Sequence, residues 1–566
     1  MSGARLRVAF LIGRDDAGTQ SVIARVCESP YVETLAVLLD TAQDPPARRW
    51  RNLKRNIRRE GLSYIPHRLV SALREKLEAV SDRVIPGREV EQLLAQAFPD
   101  RGLAALARRY GFRVLECGDL NGAVAIGHLK SVETDLGIVL GTRILKRAAF
   151  SVPLQGCINL HKGGVPDYRG MPPGFWELYD GRDSAGVTVH FVDDGLDTGD
   201  VLGASQIPIH PKETPESLRS KLDQEGIRLM AEVVDRIALG SAIRQPQVKN
   251  AQAARTRPTR AQTLELARRL PHWRRSGDGR QAIKTAAWLA LYHGGFYSLV
   301  RRLRKGKSRG AILLYHRVND ISQDVLTAST RRFAEHLVTL RHYYRVLSTE
   351  EIVERVANRS RLEATTVAIH FDDCYRDVRT CASPLLAAAG TTAAAFVSSG
   401  FVDTARVFRH DEEKYPHRFE NFRAQDLREL QGLGVSVAAH TVNHVDLGSV
   451  GLDQARVEVV ESGRQLERMI SRPVLLFSFP FGRLDNIREE VREMVVTAGY
   501  RALFSAHGGF IDENTSVLDI PRIGVSSDHS PLALMMELEG ISLQHLKDRL
   551  RSGSGQRRLN RAVGGA

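Results

Sequence analysis

Ile158-Asn159-Leu160-His161, followed further along by Gly186-Val187-Thr188-Val189-His190-Phe191-Val192-Asp193-Asp194-Gly195-Leu196-Asp197-Thr198-Gly199-Asp200, decides the reading of the first half of the chain. Each piece is an apolar strand that runs into polar residues. Asn159 and His161 are two apart, so on a strand their side chains leave the same face and address one point. Working outward, strand-like segments recur at 6–12, 35–39, 135–140, 157–160 and 187–192, with helical periodicity at 89–97 and 103–110 between them. This alternation predicts an α/β fold with an open, mostly parallel sheet. Chemistry on such a sheet sits beyond the carboxyl ends of strands, where this polar cluster falls. No complete G-x-G-x-x-G follows the first strand, which argues against a dinucleotide cofactor. A neutral His can take a proton from an attacking amine, a carboxylate can support its imidazolium, and an Asn amide can stabilise an oxyanion. The structural alternative is an Asn-His pair fixing a tight turn, with Asp197 capping the next segment of chain.

The chain has 566 residues, enough for three or four domains of about 150, or for two large α/β ones. Apolar residues make up 43% and charged residues 26%, which excludes a disordered, collagenous or coiled-coil protein. Five scattered cysteines (Cys27, Cys117, Cys157, Cys374, Cys381) do not form a disulfide framework and point to a reducing, cytoplasmic setting. The first thirty residues read as a buried strand rather than a signal peptide, and no apolar run reaches eighteen residues.

Net charge is +14, and residues 255–309 carry fifteen Lys and Arg against Glu265 and Asp278, a surplus of thirteen. We therefore expect a first domain over 1–245, a basic helical linker or joining subdomain over 246–309, a second domain over 310–545 and a basic flexible tail over 546–566. Residues 282–303 read as a helix that Gly294-Gly295 bends or breaks. Three readings of this segment stay open: a packed inter-domain helix with a solvated basic end, a peripheral membrane contact through 282–305, or a nucleic-acid surface. The last is disfavoured because no reading motif accompanies the charge. A second basic run, Arg48 to Arg59, reads as a solvated helix face or as a meeting point for a phosphorylated substrate. Self-association stays open.

The motifs Ile158 to His161, Pro166-Asp167-Tyr168-Arg169-Gly170 and Gly186 to Asp200 together resemble the folate-dependent formyltransferases, which act on methionyl-tRNA, glycinamide ribonucleotide and amino sugars. The resemblance spans about residues 5–210 and includes the gap of thirty-six from His161 to Asp197. It implies a Rossmann-like sheet and an amine attacking the formyl group of N10-formyltetrahydrofolate. In that scheme His161 is the base, Asn159 holds the oxyanion, Asp197 tunes His161, and Arg169 is a candidate substrate or support residue. Lys162-Gly163-Gly164-Val165 departs from the Ser-Leu-Leu-like run usual there, which puts the acceptor pocket in question. Residues 214–243 read as a helical tail with no tRNA-binding barrel after it, so a small amine is favoured over tRNA.

After Gly310 the alternation restarts. Residues 311–315 form a short strand ending in His316, and 366–371 form another ending in Asp372-Asp373. Two adjacent carboxylates after a buried strand are costly unless a cation or a proton is shared. Residues 435–439 run into His440-Thr441-Val442-Asn443-His444, and histidines at i and i+4 on a helical turn would reach one metal. Asp373, His440 and His444 would then hold a divalent ion, leaving Asp372 to take a proton.

These residues, with Ile312 to Val318, Phe477-Ser478-Phe479-Pro480-Phe481-Gly482 and Leu518 to Ile523, are similar to the NodB-like polysaccharide deacetylases over about 310–530. The resemblance implies a distorted (β/α) barrel, with Asp372 as base and a divalent metal, zinc first among several candidates. It also implies a groove lined by the Pro-aromatic-Gly loop Phe477 to Gly482, with Phe479 and Pro480 as candidate substrate or support residues, and Arg522 holding the catalytic carboxylate. The late histidine that serves as general acid has no clear match; His529 and His507 are the candidates. Cys374 replaces the usual Gly and is expected near the metal, where it would narrow the pocket or sensitise it to oxidation.

Together the two halves imply a bifunctional enzyme. It would remove an N-acyl group, N-acetyl first, from a small amino-sugar or sugar-nucleotide-like substrate and formylate the exposed amine. The alternatives are a formyltransferase with an inactive carbohydrate-binding second half, or two reactions on different substrates.

Overall fold

The computed structural model describes residues 5–42, 46–61, 64–247, 253–271, 273, 278–321, 324–363, 365–414, 419–526 and 529–541, so the expected tail at 546–566 lies outside the described residues. The chain divides into two compact units: Met1–His67 with Phe98–Arg275 and Arg409–Arg418, and Arg68–Ala97 with Ser276–Phe408 and Phe419–Ala566.

In the first unit seven strands form one sheet: β1 (Leu6–Ile12), β2 (Val32–Asp40), β3 (Arg113–Cys117), β4 (Leu136–Leu140), β5 (Cys157–His161), β6 (Ser184–Phe191) and β7 (Val201–Pro208), in the order β3-β2-β1-β4-β5-β6-β7. Pairings up to β5 are parallel; β5–β6 and β6–β7 are antiparallel. This is the open, Rossmann-like sheet expected. Its central strands read as unbroken apolar runs because both faces are covered. Val8, Phe10, Ile12, Ile138 and Ile158 pack with Leu222, Leu229, Met230 and Val233 of the helix Pro215–Ala238. On the other face Ala9, Leu11, Val139 and Cys157 meet Ala125, Leu129 and Val132 of the helix Ala123–Val132. The long helix starts where Thr214 and Ser217 form a reciprocal cap ahead of Pro215.

The second unit contains β8 (Gly310–Tyr315), β9 (Arg317–Val318), β10 (Thr327–Ala328), β11 (Arg345–Val346), β12 (Thr366–Phe371), β13 (Ala393–Val397), β14 (Val435–Ala439), β15 (Leu476–Ser478), β16 (Ala502–Phe504) and β17 (Ile523–Gly524). β9 and β10 pair separately, and the others form a parallel sheet ordered β16-β15-β14-β13-β12-β8-β17, with β11 beside β12. The sheet curls into an open half-barrel, the distorted barrel expected. Its interior is filled by Ile312, Ala368, Ala394, Phe396, Ala438, Leu476, Ala502 and Phe504.

Packing divides the chain differently from the sequence reading of domains. Residues 68–97 belong to the second unit, because Leu77 and Val84 join an apolar cluster with Trp288, Leu289, Tyr297, Leu532, Met535 and Met536. The basic stretch 246–309 is likewise not a separate subdomain. Leu266 packs with Phe175 and Trp176 in the first unit, whereas the helices Asp278–His293 and Phe296–Arg304 share the Trp288 cluster of the second. The break between those helices falls at Gly294-Gly295 as expected, with Gly295 in the left-handed region at φ 80°.

Two candidate active sites

In the first unit the site is built where β5 and β6 face each other. Asn159 lies directly opposite His190 in the antiparallel register, and its Nδ2–H donates to His190 Nε2 at 3.3 Å. His190 Nδ1–H donates to the Phe191 carbonyl (2.7 Å), which leaves Nε2 as the acceptor. The Asn159 amide also points at Asp197 Oδ1, 3.5 Å away. Asp197 sits after β6 with φ 54°, a left-handed conformation uncommon for a residue with a side chain, and its Oδ2 accepts the Gly170 N–H at 3.1 Å. His161 closes the group: Nδ1 lies 3.4 Å from Asp197 Oδ2, and Nε2 lies 2.7 Å from the Tyr168 carbonyl.

Both titrating partners are shifted in the sense that suits a neutral base beside an anion. Burial pushes the His161 pKa below its ordinary value, against the opposing pull of Asp197 and the Tyr168 carbonyl. Burial pushes Asp197 upward, but the nearby His190 and His161 imidazoles and the Gly170 amide outweigh it and hold the carboxyl below the usual range.

The unusual run Lys162-Gly163-Gly164-Val165 has a physical meaning here. A Cβ on residue 163 would stand 2.3 Å from the Tyr168 carbonyl oxygen and 2.6 Å from His161 Nε2, so only glycine lets that carbonyl reach the imidazole. Lys162 is held by Asp223. Arg169, a candidate substrate or support residue, gives its carbonyl to the Arg255 N–H (2.7 Å), which fastens the loop whose Tyr168 carbonyl and Gly170 N–H meet His161 and Asp197. A pocket of about 430 Å³ adjoins the loop that carries Asp197; Phe150, Leu154, Cys157, Val192, Asp193 and Thr198 line part of it.

In the second unit the strand ends of β12, β14 and β15 converge. Asp373 Oδ1 lies 3.0 Å from His444 Nε2 and 3.8 Å from His440 Nε2, and one donor atom from each of the three residues falls within 4.8 Å of the others. His440 Nδ1 faces Ser478, 2.9 Å from its carbonyl and 2.6 Å from its hydroxyl. With that nitrogen protonated, the Nε2 lone pair faces Asp373. Burial keeps the imidazole neutral, with its pKa pushed down to about 4. Two imidazole nitrogens and one carboxylate, desolvated and converging, fit a divalent cation that accepts nitrogen and oxygen ligands.

The geometry corrects one expectation about this trio. His440 to His444 is not a helical turn; β14 ends at Ala439 and the histidines sit in a loop, with Thr441 at φ 63° and His444 at φ 55°. The buried Glu458 shapes that loop by accepting the Val442 and Asn443 N–H groups (2.9 and 2.8 Å) and the Asn443 side-chain amide (2.7 Å).

Arg522, fully buried, donates two parallel bonds to Asp372, Nη1 to Oδ1 at 2.7 Å and Nη2 to Oδ2 at 2.8 Å. Burial pushes Asp372 upward, but Arg522 first and His440 second bring the net shift below the ordinary value. His316, partly buried at the end of β8, is close enough to lower it further.

Several other expectations do not survive the geometry. Phe479 is 2% exposed and packs edge-on against Phe477, and Pro480 is buried, so neither lines a groove. The exposed aromatic is Phe481, whose ring centroid lies 5.2 Å from that of His444. His529 accepts the Ser526 N–H on its Nδ1 (3.1 Å) and gives its carbonyl to His336, and it is not among the residues that converge on the Asp373 group. His507 pairs with Asp519. Cys374 is buried completely, which raises its thiol pKa well above the ordinary value and makes it unreactive rather than oxidation-sensitive.

Residues 120–234 match the family model "Formyl transferase" and residues 359–503 match "Polysaccharide deacetylase". The chain carries a formyltransferase-like domain followed by a deacetylase-like one. The first is similar to the methionyl-tRNA formyltransferase of Citrifermentans bemidjiense, 35% identical over 143 residues, which is 25% of this chain and 45% of the relative. The chain therefore spans less than half the length of that relative. The Streptococcus pyogenes deacetylase PplD, solved with acetate, aligns at 21% identity over 41% of this chain and 99% of its own, with a TM-score of 0.36. The glycinamide ribonucleotide transformylase 1 of Symbiobacterium toebii aligns at 18% identity over 44% of this chain and 96% of its own, with a TM-score of 0.30.

His190, Tyr168, Gly163, Ser478 and His316 complete the two sites and were given no role from sequence, whereas Phe481 belongs to the loop expected to line the groove. Only two left a readable signal: His190 alternates onto the Asn159 face of its strand, and His316 ends a buried strand as Asp372 does.

Proposed function

We propose that the protein is a bifunctional cytoplasmic enzyme. The deacetylase-like site removes an N-acyl group, N-acetyl first, from an amino-sugar-like molecule. The formyltransferase-like site then transfers a formyl group from N10-formyltetrahydrofolate to the amine so exposed. The observation that carries the reading is the coexistence, in one chain, of a partly buried Asn-His-Asp triad and a separate Asp-His-His cluster beside an arginine-clamped carboxylate. The product of one reaction is the nucleophile of the other, and fusion raises its local concentration. The cysteines, thiols rather than disulfides, support the cytoplasmic setting.

A divalent ion, zinc in our reading, held by Asp373, His440 and His444 would polarise the acyl carbonyl and acidify the attacking water. Asp372 takes the proton from that water, with both its oxygens oriented by Arg522 so that its direction of approach is set before substrate arrives. To His316, which lies near Asp372, we assign the proton given to the departing amine. Phe481 offers an exposed ring beside His444 for a sugar face.

At the other site the neutral His161 carries one proton, on Nε2 toward the Tyr168 carbonyl, and its Nδ1 lone pair faces the Asp197 side. A proton taken from the attacking amine lands on Nδ1, where Tyr168 and Asp197 accept one N–H each, and is passed to N10 of the donor as the formyl C–N10 bond breaks and tetrahydrofolate leaves. The surroundings thus have two acceptors for a ring that has one N–H before reaction and two after it. Asn159 turns its amide from His190 and Asp197 toward the oxygen that becomes negative.

The test is mass spectrometry of N-acetylated amino sugars and sugar nucleotides incubated with enzyme and metal, with and without the formyl donor. The free amine should accumulate without donor and the formamide with it. Asp373→Ala should stop the first step and His161→Ala the second. Formyl transfer with no acyl release from any N-acetylated substrate would leave the second domain without the assigned role.

A further inference from the structure

The helices Asp278–His293 and Phe296–Arg304 invert the usual arrangement of a surface helix. On the second, Phe296, Leu299 and Leu303 recur at i, i+3 and i+7 and are 43, 52 and 66% exposed. Arg301 turns inward, donating to the Tyr343 carbonyl at 2.7 Å and to the Tyr297 hydroxyl at 3.2 Å. Arg304 faces Glu539 at 3.7 Å. On the first helix Ile283 is 72% exposed, with Ala286 and Ala290 exposed on the same line, while Trp288 and Leu289 fill the core. Leu73 and Val80, on the helix Tyr64–Asp82 that contributes Leu77 to that core, are exposed as well. Single exposed leucines are ordinary; stripes at helical spacing on helices sharing one small core are not.

Charge selects the occupant. From Gly279 to Asn319 the sequence has no Asp or Glu and nine Lys or Arg, with Arg302, Lys305 and Lys307 exposed around the apolar stripe. Beneath it Arg301, Arg304 and Arg309 all act on the single carboxylate of Glu539. A second copy of the chain would bring two strongly basic stretches together. Nucleic acid would match the charge but not the leucines, which offer its phosphates nothing. An anionic bilayer satisfies both, taking the leucines below its headgroups and the cations among them. No helix of the described residues is long and apolar enough to cross a membrane.

We propose that the Asp278–His293 and Phe296–Arg304 helices form an interfacial docking surface for anionic phospholipid membranes. The test is co-sedimentation of the full chain with phosphatidylcholine vesicles with and without phosphatidylglycerol. Binding should require the anionic lipid, and a Leu299→Ser/Leu303→Ser chain with an unchanged circular dichroism spectrum and Tm should partition about tenfold less or worse. Arg302→Gln/Lys305→Gln/Lys307→Gln should remove most of the salt dependence of binding. Should the double variant lose its fold, Phe296→Ser supplies the same readout. The proposal is overturned by absence of binding to anionic vesicles, or by equal binding of the serine variants. It is equally overturned if those variants only change the oligomeric mass, which would assign the face to a second copy, or if RNA is bound in place of vesicles.

Discussion

Gly163 and Arg522 show how single residues set the two sites. The glycine is needed for closeness: with any side chain at 163, the Tyr168 carbonyl and the His161 ring would have to separate. Gly163→Ala should therefore lower formyl transfer about 100-fold, the order expected for displacing a catalytic group by about 1 Å, and leave N-deacylation unchanged when both are assayed on the same preparation. Arg522 is a buried cation whose partner is the buried Asp372. Arg522→Ala leaves that carboxylate unpaired and should cost about 3–5 kcal/mol in urea unfolding, besides abolishing acyl release. The triads were legible in sequence because polar residues at strand ends are chemically conspicuous. The Tyr168 carbonyl was not, since a main-chain acceptor leaves no mark on composition. Phe479 was misplaced for a related reason: in a run of alternating phenylalanines, only the turn at Phe481, with φ 63°, decides which ring is exposed.

At the scale of elements, the strands with unbroken apolar runs were readable and the short polar ones were not. β3 is mostly exposed and β7 alternates along its length, and both went unseen beside the buried β1 and β4. The His440–His444 loop was misread as helical because the i, i+4 spacing carries no information about φ; the left-handed Thr441 and the Glu458 carboxylate bring the two rings together by another route. Burial also sets the acid response of the second unit. His336, on the helix Thr330–Tyr343, accepts from the Tyr315 hydroxyl at 2.9 Å and donates to the His529 carbonyl at 2.7 Å, and burial pushes its pKa down to about 3. The unfolded chain binds this proton below about pH 6.5 and the folded one only near 3, so acidification across that window favours unfolding. The Tm should fall steadily from pH 6.5 toward 4 by scanning calorimetry, and His336→Gln should flatten part of that slope.

For the whole molecule, each site rests on its own sheet and its own apolar core. Chelation should therefore abolish N-deacylation while formyl transfer to a free amine continues unchanged; parallel loss of both would contradict independent sites. Sequence alternation gave two α/β halves correctly, yet it could not assign residues 68–97, whose partners lie some two hundred residues further along at Trp288 and Tyr297. One backbone habit is shared by the halves: Asp197, Asp373 and His444 all hold positive φ. Such angles cost a side-chain-bearing residue of the order of 1 kcal/mol and cost glycine almost nothing. Directed evolution for heat resistance alone would thus be rewarded for writing glycine into these three positions, and its hardiest survivors would be the chains with no chemistry left.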